Sequence, residues 1–472
     1  MILVDAIVPV YNVEPYLRDC IESLLKQRIP FHKIILVNDG STDKSKEICE
    51  EYSYKYRNIE LINQKNQGLG CSRNVGIKHS RADYVVFIDS DDFVSDRMTE
   101  RVLCELEIKQ VDVLIYNASE QYDIDIERQK NYFEHSTFLN DRIMSGTEYF
   151  VMAFPRNYIV SACVAAYSRK FLLQNSICFP EGIYHEDYFF YMQVWLNARM
   201  IKCIGDALYI RRYRVNSITT SPYCAKRCKD LIEGKILEWK YIRKYEGKIA
   251  DWIIRLIILN EMAKILNVLQ DNSDPEWGMA EELLNEFWIY WGHILQGDLS
   301  WSESYLVLQI VSLANDYPKS KMSEKMDLNL LGLKCKEKLE EGIRYRVSQT
   351  ALSMDGKIGI YGVGAHTALL VELYEKFIGK MNKDVFFIVT EESEQREYYG
   401  RKIITYDHLQ NDIDYVVISS LVYQEQMIEN LKKVGINNKK LIVLYSNNEV
   451  CDITQAYKML TERKYKNEKE YS

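Results

Sequence analysis

Short apolar runs alternate with amphipathic segments along residues 1–116. The runs Ile2–Val10, Lys33–Val37, Ile59–Asn63, Tyr84–Ile88 and Val111–Tyr116 are rich in Val, Ile and Leu and predict strands. Between them, Glu14–Gln27, Ser45–Tyr56, Ser72–His79 and Arg97–Lys109 carry apolar positions at helical spacing. Strands of this kind between helices of this length imply βαβ units and a largely parallel sheet covered on both faces. In such sheets ligands sit beyond the carboxyl ends of the strands.

The pattern is less regular over residues 117–220. From 225 to 350 the period becomes helical in "AKRCKDLIEGKILEWKYIRKY", "DWIIRLIILNEMAKILNVLQ", "EWGMAEELLNEFWIYWGHIL" and "SESYLVLQIVSLAND". Six of the seven tryptophans lie between Trp239 and Trp301, which marks either a packed core or a face for a membrane or partner. Alternation returns over 356–446, with strands at Lys357–Tyr361, Val385–Val389, Tyr415–Ile418 and Leu441–Leu444 and helices after Gly364 and over Gln424–Val434. The reading is an α/β domain over 1–222, an α-helical module over 223–352, a second small Rossmann-like α/β domain over 353–450 and a charged tail over 451–472.

At roughly 150 residues per domain, 472 residues suit about three domains. The net charge of −8 argues against a nucleic-acid partner, whose footprint is basic. An acidic chain that binds an anion needs local cations or a metal. The 11 cysteines are scattered, with no paired CxxC sets, which fits reduced thiols in a cytoplasmic protein. "MILVDAIVPVYN" lacks a basic leader and is broken by Asp5 and Pro9, so it reads as a first strand rather than a signal peptide. The richest apolar stretch, "WIIRLIILN" at Trp252–Asn260, is too short to span a bilayer.

The stretch "YVVFIDSDDF" ends a predicted strand in Asp89, Asp91 and Asp92. Acids gathered this closely repel one another, and burial raises their pKa values. A divalent cation relieves that repulsion, and an oxygen-only donor set suits Mg²⁺ or Mn²⁺. Acids favouring the start of the helix near Arg97 are the plainer explanation. Three neighbouring loops bear on the choice: "VPVYN" (Val8–Asn12), "VNDGSTD" (Val37–Asp43) and "NQGLGCSRNVG" (Asn66–Gly76). The first two end strands, and the third leads with Gly68 and Gly70 into a helix carrying Arg73. Together the loops outline a pocket of nucleotide size, in which glycines admit a backbone close to a ligand and an arginine faces a diphosphate.

The order VPVYN, VNDGSTDKS, NQGLGCSRNVGI, YVVFIDSDDF resembles that of family 2 glycosyltransferases of the GT-A fold. "FPEGIYHEDYFFYMQVWLNARMIKCIGDALYIRRYRVNSIT" (Phe179–Thr219) is similar to the family's acceptor half. The resemblance covers about residues 2–220 and implies roles. Pro9, Tyr11, Asn12, Glu14, Asp39, Asn66, Gly68, Arg73, Asp89 and Ser90 would line the nucleotide, with Pro9, Tyr11 and Asp39 at the base. Asp91, with Asp89, would hold Mg²⁺ or Mn²⁺ against the diphosphate. Asp187 would be the general base, aided by Glu186, and the role of His185 is open. Arg212 and Arg214 would close over the diphosphate or acceptor, or form surface salt bridges. The implied reaction is inverting transfer from a nucleoside-diphosphate sugar, expected to be a UDP-sugar, to a hydroxyl of a surface glycan or lipid-linked glycan. The expected location is cytoplasmic, with peripheral contact at the inner face of the membrane. Members often carry Trp and Lys near "SACVAAYSRKFL" (Ser161–Leu172), which here is small and apolar, so acceptor identity is open.

The rival is a non-catalytic nucleotide-sugar-binding or scaffold protein of a glycan assembly complex, which would be expected to lose Asp91 or Asp187. Both acids are present. Sugar-nucleotide transferases would show a Gly/Arg/Lys-rich loop where this chain has "VPVYNVEPYL". In the C-terminal domain "GVGAHT" offers Gly362 and Gly364 as a nucleotide loop, with Thr367 in the place of a third glycine. A structural or homo-oligomer role competes with ligand binding there.

Overall fold

The computed structural model describes residues 2–122, 133–135, 137–154, 158–214, 225–245, 247–270, 299–315, 328–350, 352, 355–391, 396–409, 413–421, 423–445, 449 and 451–461. These fall into two units, one drawn from Met1–Ala153 and Asn157–Ala250, the other from Asp251–Gln270 and Glu281–Ser472.

The first unit is built on β1 (Val4–Val10), β2 (Lys33–Asn38), β3 (Ile59–Asn63), β4 (Tyr84–Phe87), β5 (Phe93–Val94), β6 (Val113–Tyr122), β7 (Ile143–Met144), β8 (Ala165–Ser168) and β9 (Ile201–Tyr213). Their order is β3-β2-β1-β4-β8-β6-β9-β5, with β7 on β9. Strands β3, β2, β1 and β4 are mutually parallel, as are β6 and β9, while β8 runs antiparallel between β4 and β6. Helices α1 (Glu14–Leu25), α2 (Ser45–Lys55), α3 (Leu69–His79), α4 (Met98–Ile108), α5 (Gly146–Ala153), α6 (Arg169–Gln174), α7 (Glu186–Asn197) and α8 (Ala225–Ile242) complete the unit. Because β2 and β4 lie on opposite sides of β1, the order reverses at β1. The crevice where such sheets bind ligands therefore opens beyond the carboxyl ends of β1 and β4.

Two residues that look foreign to a buried strand have local reasons. Asp5 is fully buried, but its Oδ1 lies 2.8 Å from His32 Nδ1 and its Oδ2 accepts Ser80 Oγ at 2.6 Å. Pro9 lacks a ladder N–H. The Ile7 carbonyl takes the last β4-side bond, from the Ile88 N–H, so Pro9 faces that side where pairing has ended.

The second unit holds α9 (Asp251–Gln270), α10 (Trp301–Asn315) and α11 (Leu328–Ser348), and a sheet of β10 (Ile358–Tyr361), β11 (Val385–Val389), β12 (Glu397–Tyr398), β13 (Arg401–Thr405), β14 (Tyr415–Ile418) and β15 (Leu441–Val443). Its order is β12-β13-β11-β10-β14-β15, parallel except for the β12–β13 hairpin. Helices α12 (Ala365–Phe377), α13 (Gln424–Lys433) and α14 (Ile453–Thr461) belong to the same unit.

The expected α/β class with a mostly parallel sheet, helices and a smaller second sheet is therefore present. Boundaries differ where backbone demands outweigh the apolar pattern. Helix α3 begins at Leu69, not Ser72, because Gly68 at φ +91° forms its N-cap and Gly70 lies inside the helix. A Cβ on Gly70 would lie 2.4 Å from the Pro180 carbonyl oxygen. Strand β6 runs on to Tyr122, past a bulge at Asn117, because its polar end pairs with β9. The β12–β13 hairpin turns through Tyr399 (φ +49°) and Gly400 (φ +65°), the positive-φ pair that tight hairpins use. Trp239 and Trp301 are buried, and Trp252 is half-buried. The segment "EWGMAEELLNEFWIYWGHIL" and the tail beyond Thr461 lie outside the described residues.

Candidate active site

The loop after β4 turns on itself, Asp92 N–H donating to the Asp89 carbonyl at 3.0 Å, so that Asp89, Asp91 and Asp92 point to different partners. Asp92 is buried and accepts Tyr209 Oη at 2.6 Å and Arg212 N–H at 2.7 Å. Burial, with the charges of Asp91 and Asp89, pushes its carboxyl up to about 8. It is a strut between this loop and β9, and Tyr209 extends the strut by accepting the Asp89 N–H at 3.2 Å.

Asp89 and Asp91 keep 35% and 22% of their side chains exposed. Burial first, and then the Asp89 charge, raises the Asp91 carboxyl. Asp91 Oδ2 accepts both Nε and Nη2 of Arg214 at 2.8 Å. Asp89 Oδ1 accepts Arg73 Nη2 at 2.7 Å.

Arg73 is the hub. Helix α3 carries it into the protein, where its side chain is 1% exposed. Its Nη1 donates to Glu186 Oε1 at 2.6 Å and to Asp187 Oδ1 at 2.7 Å. Its guanidinium carbon lies 5.1 Å from the centre of the Phe179 ring. One cation thus joins an acid after β4 to two acids at the start of α7. Helix α3 reaches this position because Gly76 packs flush on β1, where a Cβ would lie 2.2 Å from Ile7 Cγ2.

Glu186 and Asp187 occupy the first turn of α7, which the N-terminal helix dipole favours. His185 is its N-cap at φ +62°. Burial, then the Asp187 charge, pushes Glu186 up to about 7. Burial also raises Asp187, against the pull of Arg73. Among the described residues, Asp187 Oδ2 has a long 3.4 Å contact from the Ala162 N–H, and the side chain is 24% exposed. The small stretch Ala162–Ala165 therefore lies under the acids. Cys163 Sγ is 3.9 Å from Arg73 Nη2, and a larger side chain at 162 or 163 would crowd the hub.

The remaining loops mostly organise one another. Asp39 is buried and accepts Gln64 Nε2, Gln67 N–H and Gly68 N–H at 2.7, 2.9 and 2.8 Å, shaping the 64–68 loop. Asn12 Oδ1 accepts the Thr42 N–H, and Glu14 Oε2 the Lys44 N–H, tying the loops after β1 and β2 together. Gly40 lets Asn66 approach: a Cβ there would sit 3.0 Å from the Asn66 nitrogen. Tyr11 is 47% exposed at the end of β1, and Ser90 is buried within the acidic turn. Arg212 turns away toward α1, pairing with Asp19 at 2.9 Å. The structure thus brings Arg73, Asp89, Glu186 and Asp187 into one cluster and places Arg214 on Asp91. The three-acid role of Arg73 and the Tyr209 strut were not visible in the pattern. The third acid of "DSDD" was their only trace.

In the second unit Gly362 adopts φ +125° at the end of β10, and Gly364 caps α12. Thr367 Oγ1 and Ser419 Oγ are hydrogen-bonded at 2.9 Å beside Gly362, whose absent Cβ would lie 2.9 and 3.1 Å from them.

Residues 5–174 match the model of glycosyl transferase family 2. The chain is 37% identical over 225 residues to the uncharacterized glycosyltransferase EpsJ of Bacillus subtilis, covering 47% of this chain and 64% of that one. It is 29% identical over 293 residues to the poly(ribitol-phosphate) β-N-acetylglucosaminyltransferase TarS of Staphylococcus aureus, covering 61% and 44%. A structure of TarS residues 1–349 with UDP-GlcNAc aligns at a TM-score of 0.42 and 23% identity, over 72% of this chain and 81% of that one. The chain thus spans less than two thirds of the length of both curated relatives. The family match falls on β1 to α6, so the segment of this chain that is similar to glycosyl transferase family 2 is the one whose strands and loops carry Arg73 and the acidic turn.

Proposed function

We propose that the chain is an inverting glycosyltransferase that moves a sugar from a nucleoside-diphosphate sugar, a UDP-sugar foremost, to a hydroxyl of a bacterial surface glycan. The observation that carries the reading is the Arg73 hub. It ties the acid at the donor crevice, Asp89, to a partly exposed carboxylate, Asp187, whose second oxygen is nearly free. The names of the relatives support the acceptor class. Besides TarS they include the minor teichoic acid biosynthesis protein GgaB of Bacillus subtilis, 47% identical over 102 residues.

Tyr11 and Pro9 flank the base at the end of β1, and Asp39 fixes the 64–68 loop that closes the other side of the pocket. Asp89 and Asp91 fit Mg²⁺ or Mn²⁺. Both are oxygen donors and partly exposed. Asp89 and Asp91 would hold the ion through their carboxylate oxygens. When bound, the ion neutralises the leaving diphosphate as a Lewis acid. Asp187 accepts the acceptor hydroxyl's proton at Oδ2. The hydroxyl oxygen bonds to the anomeric carbon as the bond from that carbon to the diphosphate breaks, and the configuration inverts. Arg73 holds Asp187 Oδ1 and fixes the direction of the base, and its charge opposes the burial that would otherwise keep Asp187 protonated.

The second unit is given an architectural role, since the Thr367–Ser419 bond fills the turn that a dinucleotide would approach. Dialysis of the full chain against NADH should show no binding. No described helix is long and apolar enough to cross a membrane. Access to a lipid-linked acceptor then calls for peripheral contact, and vesicle flotation should detect it.

The test of the main reading is the melting temperature with UDP, with and without Mn²⁺, against CDP and GDP. Ligand at 100 times Kd stabilises by about 2.7 kcal/mol. A rise with UDP that chelation abolishes is expected. No rise with any nucleotide would remove the basis for the proposal.

A further inference from the structure

Arg214 lies one residue past the end of β9, at the mouth of the acidic turn. Its guanidinium places Nε and Nη2 on a single oxygen, Asp91 Oδ2, each at 2.8 Å. It also lies 4.9 Å from the centre of the Tyr16 ring, which fixes its plane. Asp91 is the more buried of the two acids assigned above to the cation. A Mg²⁺ or Mn²⁺ ion would take the same oxygen as a ligand. An ion and a guanidinium both aimed at that oxygen repel each other, so the two exclude one another.

The backbone before Arg214 stays anchored whichever cation is present. Arg212 N–H is bonded to Asp92 Oδ1, and the Arg212 side chain is paired with Asp19. The exchange therefore takes place in the Arg214 side chain, beyond this anchor. A guanidinium released there stands beside the cation, where a diphosphate would present oxygens to it, and its planar fork suits bidentate contact with phosphate.

We propose that Arg214 is a built-in counter-ion of Asp91: it holds the cation position while no donor is bound, gives it up to the metal–donor complex, and moves its charge onto the donor's diphosphate. This inference rests on the nucleotide-sugar reading above and deepens it. The consequence is ordered loading. The free enzyme binds a divalent ion poorly, and ion and nucleotide enter together. An ordinary diphosphate-binding arginine would not disfavour the ion in the absence of nucleotide.

The experiment is Mn²⁺ binding to the full chain, read by the electron paramagnetic resonance signal of free Mn²⁺, with and without UDP. Wild type, Arg214→Gln, Arg214→Lys and Asp91→Asn are compared, and melting curves check that each is folded. Removing one positive charge from beside two carboxylates should tighten Mn²⁺ binding without UDP by about tenfold or more. The same variant should bind Mn²⁺ with UDP about tenfold more weakly than wild type. Arg214→Lys keeps the charge and should stay near wild type without UDP. If Arg214→Gln binds Mn²⁺ alone no better than wild type, while wild type binds Mn²⁺ with UDP through Asp91, the counter-ion role is wrong and the transferase reading stands. If tightening without UDP is seen but binding with UDP is unchanged, the transfer to the diphosphate is wrong. If wild type and Asp91→Asn behave alike with UDP, the cation site itself is misassigned, and both readings fall.

Discussion

Arg73→Met removes the one cation shared by Asp89, Glu186 and Asp187 while keeping an unbranched apolar stem in a site that is 1% exposed. The hydrogen bonds from Arg73 to these three acids are 2.6–2.7 Å long. Deleting one partner of a buried ion pair costs roughly 3–5 kcal/mol, because the other charge is left without compensation. Three orphaned acids do not triple that figure. Each can take up a proton, at a cost near pH 7 of about 1.4 kcal/mol per unit of pKa below the pH. Glu186 already sits up at about 7, so its proton is nearly free. The expected loss is then about 3–5 kcal/mol at pH 8 and clearly less at pH 5.5. The sign follows from linkage. Burial already raises Glu186 and Asp187 against the pull of Arg73, so without Arg73 their native pKa values lie further above the unfolded ones, and the native state binds more protons and gains stability as the pH falls through them. Urea unfolding, with hydrogen exchange of peptides from α3 and α7 reporting on this domain alone, gives the loss as the midpoint shift multiplied by m. Adding Glu186→Gln to Arg73→Met should restore part of the stability at pH 8. A loss below about 1 kcal/mol at pH 8, or equal losses at both pH values, would mean that the acids do not depend on Arg73.

Asp187→Asn should lower kcat by roughly 10²–10⁴-fold and leave the Kd for UDP with Mn²⁺ unchanged, as single-turnover assays and calorimetry would show. Glu186 carries a folded pKa of about 7 against an ordinary value of 4.5, so between those values the native state holds the extra proton and stability falls as the pH rises. Glu186→Gln should flatten that decline in melting temperature between pH 5 and 7.5, and an unaltered slope would place the proton elsewhere. Gly76→Ala sets a Cβ 2.2 Å from Ile7 Cγ2 and should destabilise by about 1–3 kcal/mol in the same urea assay, with a null result showing that α3 can lift from β1.

The parts of the fold legible in the sequence are those whose pattern is set by burial. The strand β1 is buried along its whole length and β4 likewise, so both read directly as apolar runs. The hairpin at Tyr399–Gly400 and the polar end of β6 escaped, because turn geometry and cross-strand pairing make them and apolar periodicity does not. The site divides in the same way. Asp89, Asp91 and Asp187 stand out because they keep some exposure and sit just past a strand or in the first turn of a helix, where an acid breaks the apolar pattern. Asp92 has the same neighbours in sequence, yet it is a strut, and only Tyr209, 117 residues away, tells it apart. Arg73 looked like a pocket-lining arginine because nothing within its own helix shows that its partners lie 16, 113 and 114 residues on. A local motif can therefore identify the partly exposed acids. The groups that hold them in place are paired across the fold, and their roles are fixed only when β4, α3 and α7 meet. For the same reason Ala162 and Cys163, an ordinary small pair in sequence, become informative: they leave room for a guanidinium and two carboxylates to share one buried point.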